Sequence, residues 1–130
     1  MKNFIAVIFS LIIFGCSPTP GTQQKDHSDK DWSSHGKTPK EQRFSPLQTI
    51  NRQNVSQLGL DWHYEFDTRR GQEATPLVID GIIYTTTAWS KVYALDGATG
   101  KLLWSHDPKV PGKAAAKGCC DVVNRGVAYA

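Results

Sequence analysis

The fold is decided by the stretch Lys91-Val92-Tyr93-Ala94-Leu95-Asp96-Gly97-Ala98-Thr99-Gly100-Lys101-Leu102-Leu103-Trp104-Ser105. Two apolar runs in it flank a longer turn that ends in glycine. Just upstream, residues 77–79 and 82–84 flank Asp80-Gly81, a dipeptide that supplies the positive φ angles of a tight hairpin turn. Apolar runs at roughly ten-residue spacing, joined by such turns, predict an antiparallel all-β array.

Weaker patterns lie on both sides of these hairpins. Residues 60–66 alternate apolar with polar side chains, which predicts a half-buried strand. The apolar run at residues 122–129 predicts the start of a further strand. A short helical turn over residues 52–58 is expected, because Asn51 is a residue type that caps helices.

Length, charge and histidine spacing exclude some classes of function. A chain of 130 residues has room for one domain at most. The formal net charge of +3 is too small, and too scattered, to indicate nucleic-acid binding. A metal site within this chain is not indicated, because the four histidines are scattered and no CxxC or HxxxH spacing occurs.

The N-terminus has the features of a secretory signal peptide over residues 1–15. Lys2 supplies the positive charge, and residues 4–14 form an apolar run. At about 1.5 Å per residue this run is too short to cross a hydrocarbon core of about 30 Å as a helix. Gly15-Cys16 at its end resembles a bacterial lipoprotein cleavage site, which implies a lipid on Cys16 and a membrane anchor.

The segment after the signal peptide is polar. Residues 16–30 are rich in Pro, Thr, Gln, Lys and Asp, so we expect a disordered tether. Residues 31–130 form the expected folded part, with Trp32 and Phe44 as isolated apolar anchors near its start. Export to the periplasm would place the chain in an oxidising compartment, where disulfides persist.

Two cysteines, Cys119 and Cys120, are adjacent in the sequence. A disulfide between them would close a strained ring, because neighbouring Cα atoms lie about 3.8 Å apart and ordinary disulfides need roughly 4.4–6.8 Å. Strain of this kind clusters at ligand clamps and active sites. Two unlinked thiols are the alternative that the residues alone leave open.

Residues 94–104 resemble the tryptophan-docking repeat of quinoprotein β-propellers. In that repeat small residues, here Ala94 and Gly100, leave room for an indole, and Trp104 packs on the turn of a neighbouring blade. Further stretches resemble the same family in the expected order, namely Glu41-Gln42-Arg43-Phe44-Ser45-Pro46-Leu47, Arg70-Gly71-Gln72-Glu73-Ala74-Thr75-Pro76-Leu77-Val78, Thr87-Ala88-Trp89-Ser90-Lys91-Val92-Tyr93-Ala94-Leu95-Asp96 and Cys119-Cys120-Asp121-Val122-Val123-Asn124-Arg125-Gly126-Val127-Ala128. The chain is thus similar, from about residue 31 to 130, to the N-terminal part of a periplasmic alcohol dehydrogenase that uses pyrroloquinoline quinone (PQQ).

The resemblance implies an all-β fold, made of the N-terminal one to two blades of an eight-bladed quinoprotein β-propeller. The strand pattern is unfinished at Ala130, and a closed propeller needs several blades. We therefore expect a piece of a longer chain. A partner that supplies the remaining blades is the alternative.

The resemblance also implies roles for individual residues. Cys119-Cys120 would form a disulfide ring against one face of the planar quinone. Glu73 would share hydrogen bonds with the cofactor, and Arg125 would pair with one of its carboxylates, since a planar guanidinium suits that geometry. Without the resemblance, Glu73 and Arg125 are interpreted as solvated surface charges. Asp121 and Asn124 are expected to be turn and scaffold residues.

The activity that the resemblance implies is oxidation of primary alcohols to aldehydes by hydride transfer to PQQ. Calcium or a lanthanide would act as the Lewis acid, and a cytochrome c would accept the electrons. No Asp of this chain matches the family motif around the catalytic base, so we expect the base and the metal ligands beyond Ala130 and the chain alone to be inactive. A haem c domain further on is compatible with the sequence.

Two other functions remain open from the sequence. A non-enzymatic propeller lipoprotein of outer-membrane assembly would share the docking repeat and the lipid on Cys16, but would not need Glu73, the adjacent cysteines and Arg125 together. A quinoprotein dehydrogenase of sugars or polyols is the other alternative, and those propellers generally lack adjacent cysteines.

Overall fold

A computed structural model describes residues 30–117 and 120–130 of the chain. The predicted signal peptide, Cys16, nearly all of the predicted tether, and Cys119 lie outside these residues. Among the residues that are described, no helix is long and apolar enough to cross a membrane.

The described chain forms one antiparallel sheet, whose strands follow one another in chain order: β1 (Leu77–Ile79), β2 (Ile82–Thr86), β3 (Val92–Asp96) and β4 (Leu102–His106). Each strand pairs with the next along the chain. Short 3₁₀ turns occur at Val55–Gln57, Ala88–Ser90 and Gly112–Lys117. The all-β prediction is confirmed, and the sheet has the size of one propeller blade.

The first hairpin has the predicted two-residue turn. Asp80 and Gly81 adopt φ angles of 50° and 77°, which lie in the left-handed region that a tight hairpin turn requires. The Gly97 amide donates to the Gly81 carbonyl at 2.8 Å. A Cβ atom at Gly97 would lie only 2.6 Å from that carbonyl oxygen, so a glycine lets the two hairpin turns pack together.

The second predicted turn, between β3 and β4, is organised by the Asp96 side chain. Its Oδ1 accepts hydrogen bonds from the Thr99 hydroxyl at 2.7 Å, the Thr99 amide at 2.8 Å and the Ala98 amide at 3.1 Å. These bonds, with the Thr99 hydroxyl first, lower the pKa of Asp96. Gly100 then turns the chain with a φ of 69°.

The indole that packs on this turn is Trp62. An added Cβ at Gly100 would meet Trp62 Cε3 at 2.4 Å, and Trp62 Nε1 donates to the Gly97 carbonyl at 3.2 Å. The repeat pattern pointed only to Trp104 as the docking residue, yet Trp104 lies on β4 at 47% exposure. Leu60-Asp61-Trp62 repeats the pattern of Leu102-Leu103-Trp104, and that repeat is the signal that was missed.

The strand predicted at residues 60–66 does not form among the described residues. Its burial does alternate, because Trp62, Tyr64 and Phe66 are half-buried and the residues between them are exposed. No backbone hydrogen bond joins it to the sheet, however. The alternating pattern therefore predicted correctly which side chains are half-buried. A strand also needs backbone hydrogen bonds to a neighbouring segment, which the pattern does not report.

Two predictions for the first part of the folded region need correction. Phe44 is 71% exposed and anchors nothing in the described chain, whereas Trp32 is half-buried and exchanges two backbone hydrogen bonds with Val78. The helical turn is restricted to Val55–Gln57. Asn51 accepts a hydrogen bond from the Gln53 amide two residues on, which favours a local turn over a longer helix.

A polar network fastens the segment after Phe66 to β3. Asp67 accepts hydrogen bonds from Lys91 Nζ and from the Tyr93 hydroxyl, both at 2.6 Å. These bonds, with Lys91 first, lower the pKa of Asp67. Burial, followed by the bond to Asp67, raises the pKa of Tyr93 to about 12.

The docked indole predicts the effect of Gly100→Ala. The added methyl group meets Trp62 and the residue keeps a positive φ, so the free energy of unfolding should fall by about 1–3 kcal/mol. Chemical unfolding of the complete gene product measures it. Gly59→Ala is the control, because nothing lies within 4 Å of its Cβ position.

A double variant separates the two causes. If the indole is the obstacle, Gly100→Ala should cost clearly less in a Trp62→Leu background. An equal cost in both backgrounds would mean that backbone strain alone is responsible.

Tyr93 predicts a loss of stability in alkali. Its folded pKa of about 12 lies above the unfolded value of about 10. Its contribution is therefore present below pH ~10 and is lost as the pH rises towards ~12. Unfolding free energies measured across this window should show less loss for Tyr93→Phe than for the wild type. A Tyr93→Phe slope equal to that of the wild type would contradict the assignment.

Candidate functional site

The site lies at the end of the sheet opposite the two hairpin turns. Antiparallel pairing places the residues before β1 and those after β2 at the same end of the sheet. Glu73 therefore lies at the same end of the sheet as Thr86 and the turn at Ala88–Ser90. The segment 120–126, termed the cysteine loop from this point on, is joined by hydrogen bonds to the residues before β1 and to those after β2.

Asn124 anchors the cysteine loop. Its Oδ1 accepts hydrogen bonds from the Thr86 hydroxyl at 2.7 Å and from the Gly126 amide at 3.0 Å. Its Nδ2 donates to Ser90 Oγ at 3.1 Å. The predicted scaffold role of Asn124 agrees with these three bonds.

Backbone hydrogen bonds hold the same loop at both ends. The Trp89 amide donates to the Val122 carbonyl at 2.9 Å, and the Thr75 amide donates to the Arg125 carbonyl at 3.2 Å. The loop is thus tied to the turn that follows β2 and to the segment that leads into β1.

The strand predicted from residue 122 onwards does not form within residues 120–130. Cys120 and Asp121 have φ angles of 69° and 70°, and Gly126 has a φ of 138°. An added Cβ at Gly126 would lie 3.3 Å from the Thr75 carbonyl oxygen. Of these three residues only Gly126 lies within the apolar run, and its positive φ breaks the extended backbone that a ladder needs, so the run forms a loop.

Glu73 and Arg125, both predicted from the resemblance, lie together. Arg125 Nε is 3.6 Å from Glu73 Oε2. The side chains are 77% and 45% exposed, for Arg125 and Glu73 respectively. Exposed pairs of this kind contribute only about 0–1 kcal/mol, so either group can change partner at little cost.

A second ion pair joins the segment before β1 to the cysteine loop. In this pair the segment before β1 supplies the cation and the loop supplies the anion, the reverse of the Glu73–Arg125 pair. Arg70 binds the Asp121 carboxylate through its guanidinium, and its Cζ lies 5.5 Å from the centroid of the Trp89 ring. The Val122 backbone amide, and after it Arg70, lowers the pKa of Asp121.

Of the two adjacent cysteines, Cys120 is described and exposed. Cys119 lies outside the described residues, so their disulfide stays a prediction. Cys120 directly precedes Asp121, the partner of Arg70, in the loop that also carries Arg125.

A groove of about 470 Å³ runs along the cysteine loop. Its lining combines one cation with polar and small apolar groups: His35, Thr75, Leu77, Asn124, Arg125, Gly126, Val127 and Ala128. Within the described ranges, no group of three or more His, Cys, Asp or Glu residues is arranged to hold a metal ion.

Sequence reasoning missed some of the groups that build this site. Arg70 lay inside the stretch that resembles the family but received no role, and Trp89 and Ser90 lay in another. Trp89 and Ser90 adopt φ angles of 66° and 56°. Left-handed φ is uncommon for such residues and often marks a functional turn, but the sequence alone does not reveal it.

The architecture and the comparisons agree on the class of protein. A four-stranded antiparallel meander, with an indole from the preceding segment packed on its β3–β4 turn, is a β-propeller blade. The family model "Glucose/ethanol/alcohol dehydrogenase, beta-propeller domain", which describes PQQ proteins, matches residues 32–130. The chain therefore belongs to the family of PQQ-dependent dehydrogenase propellers.

Individual relatives agree with this assignment. The chain is 64% identical over 104 residues to the dehydrogenase subunit of a quinone-type alcohol dehydrogenase from Acetobacter aceti, which covers 80% of this chain. It matches the solved quinohemoprotein alcohol dehydrogenase ADHIIG of Pseudomonas putida HK5 at 54% identity, with a TM-score of 0.74 over 77% of this chain. A europium-containing methanol dehydrogenase matches at 39% identity and a TM-score of 0.71 over 79% of this chain.

The chain spans only a small part of these relatives. It covers 14% of the Acetobacter subunit, 15% of the Pseudomonas enzyme and 18% of the methanol dehydrogenase. The blade and the family are thus established for this chain, whereas the activity of the whole protein is a matter of inference.

Proposed function

We propose that this chain forms the first part of a PQQ-dependent alcohol dehydrogenase, and that it supplies one edge of the cofactor site. The whole protein would oxidise primary alcohols to aldehydes. The observation that carries the proposal is the exposed pair of Glu73 with Arg125 of the cysteine loop, in a chain that belongs to a PQQ family. The names of the relatives, which are alcohol and methanol dehydrogenases, support the substrate class.

The residues present fit an anionic, planar cofactor. Arg125 is exposed, lines the groove and can bind a carboxylate through two parallel hydrogen bonds. Glu73 does not line the groove, but it pairs with Arg125 and can accept hydrogen bonds from a ligand that Arg125 binds. Since the pair costs little to break, Arg125 can exchange Glu73 for a carboxylate of the ligand.

PQQ, when bound, supplies the electrophilic quinone that accepts a hydride. The part of this chain is to bind and orient it. If Cys119 and Cys120 are joined, their ring would add a rigid wall beside Arg125, and a rigid wall lowers the entropy lost on binding.

The proposal extends to groups that the described residues do not hold. Calcium or a lanthanide would act as the Lewis acid, with ligands and catalytic base from outside this chain, so this chain alone is inactive. The related methanol dehydrogenase is named as europium-containing, which supports the metal. A cytochrome c, or a haem c domain, would accept the electrons, and the quinohemoprotein name of the Pseudomonas relative supports a haem.

Binding of PQQ to variants of the complete gene product tests the assignment. Arg125→Ala should weaken PQQ binding by roughly ten- to a hundredfold, because a charge-assisted hydrogen bond contributes about 1.5–3 kcal/mol. Glu73→Gln should weaken it less. Titration with PQQ in the presence of calcium, followed by cofactor absorbance, gives the dissociation constants.

Arg52→Ala is the control, since Arg52 lies in the exposed turn before Val55–Gln57 and away from the groove. It should bind PQQ like the wild type. Wild-type binding by both Arg125→Ala and Glu73→Gln would remove the site, and failure of the wild type to bind PQQ would favour a non-enzymatic propeller.

Export and lipidation are a separate proposal. The short apolar run followed by Gly15-Cys16 supports a periplasmic lipoprotein that is anchored through Cys16. The wild type should incorporate a labelled fatty acid and sediment with membranes, and Cys16→Ser should do neither. A labelled Cys16→Ser variant, or an unlabelled wild type, would exclude the anchor.

A further inference from the structure

Arg70 connects the two segments that carry the predicted cofactor ligands. Its own segment carries Glu73 three residues later, and its partner Asp121 belongs to the loop that carries Cys120 and Arg125. The two ion pairs therefore connect the same two pieces of chain. Arg70 and Arg125 lie on opposite sides of this connection, as do Asp121 and Glu73.

The two pairs differ in how firmly they are held. The guanidinium of Arg70 contacts Asp121 and also lies over the Trp89 ring, at 5.5 Å from its centroid. Trp89 is itself tied to the loop, because its amide donates to the Val122 carbonyl at 2.9 Å. Arg125, by contrast, approaches Glu73 only to 3.6 Å and is 77% exposed.

The opposite polarity restricts how the segments can pair. If the loop moved so that Arg70 faced Arg125, or Glu73 faced Asp121, like charges would meet, and such contacts are disfavoured. The arrangement observed is therefore selected by charge as well as by the hydrogen bonds of Asn124.

We propose that Arg70 is a positioning residue, which pairs with Asp121 over Trp89 and so fixes the cysteine loop relative to Glu73. When the cofactor binds, Arg125 releases Glu73 and pairs with a carboxylate of the cofactor. The Arg70–Asp121 pair meanwhile keeps the cysteine loop at a fixed distance from the segment that carries Glu73. In this role Arg70 acts through Asp121 and the loop, and not through a contact with the cofactor. This inference rests on the proposed function, since it assumes that the groove binds PQQ.

Equilibrium PQQ binding to the complete gene product, with calcium present, tests the inference. Arg70→Met removes the charge and keeps most of the length of the side chain. It should weaken binding roughly tenfold, within the range of coupling between contacting groups. Asp121→Asn should weaken binding to a similar extent.

Arg69→Met is the matched control, because Arg69 is adjacent and forms no ion pair within the part of the chain that the structure covers. It should bind PQQ like the wild type. The melting temperatures of cofactor-free Arg70→Met and Arg69→Met should agree, which a purely structural role for Arg70 would not allow.

Removal of both partners gives the decisive measurement. The double variant Arg70→Met with Asp121→Asn should bind PQQ no more weakly than Arg70→Met alone, because both substitutions remove the same pair. Losses that add up in the double variant would overturn the inference, and so would wild-type affinity in Arg70→Met. If Arg70→Met gives no cooperative melt, Arg70→Lys decides: it keeps the charge without the planar guanidinium, so weakened binding supports the inference and unchanged binding overturns it.

The two proposals fail in different ways. If the wild type binds no PQQ, the proposed function fails and the inference fails with it. If the wild type binds PQQ and Arg70→Met binds it equally well, the proposed function stands and only the positioning role is lost.

Discussion

A single carboxamide, that of Asn124, joins the pieces of chain from which the candidate site is built. It links the end of β2 through Thr86, the following turn through Ser90, and the cysteine loop through Gly126. An amide side chain can do this because it donates and accepts at once. Without these bonds, the left-handed residues of the loop would have little to hold their conformation.

The sequence predicted correctly those features that depend on interactions between residues close together in the chain. Both hairpins were predicted correctly, because Asp80-Gly81 and the turn from Asp96 to Gly100 fix their own geometry. The segments at residues 60–66 and 122–129 were wrongly predicted as strands, because a strand depends on a distant backbone partner that no local pattern reports. Trp62 was not predicted as the indole on this blade's own turn for the same reason, since Trp62 and Gly97 are far apart in the chain. The docking of Trp104 on a neighbouring blade stays a prediction.

The same difference between short-range and long-range interactions applies to the candidate site. Glu73 and Arg125 could be named only through a resemblance, since as isolated residues they look like surface charges, and they are in fact exposed. Arg70 and Asp121 are 51 positions apart, so no spacing rule connects them. Only the folded backbone, which carries both to one end of the sheet, shows that their charges face each other.

The sheet also shows why a blade depends on its neighbours. Trp62 is covered because the β3–β4 turn receives its indole, whereas Leu102, Leu103 and Trp104 on β4 remain 37–47% exposed. Trp104 repeats the sequence setting of Trp62, and its ring lies 6.1 Å from that of Tyr84, measured between centroids. An apolar outer strand of this kind is costly to leave in water. In a propeller the next blade covers it, so the same indole-on-turn contact that fastens residues 60–66 to this blade can fasten this blade to the following one.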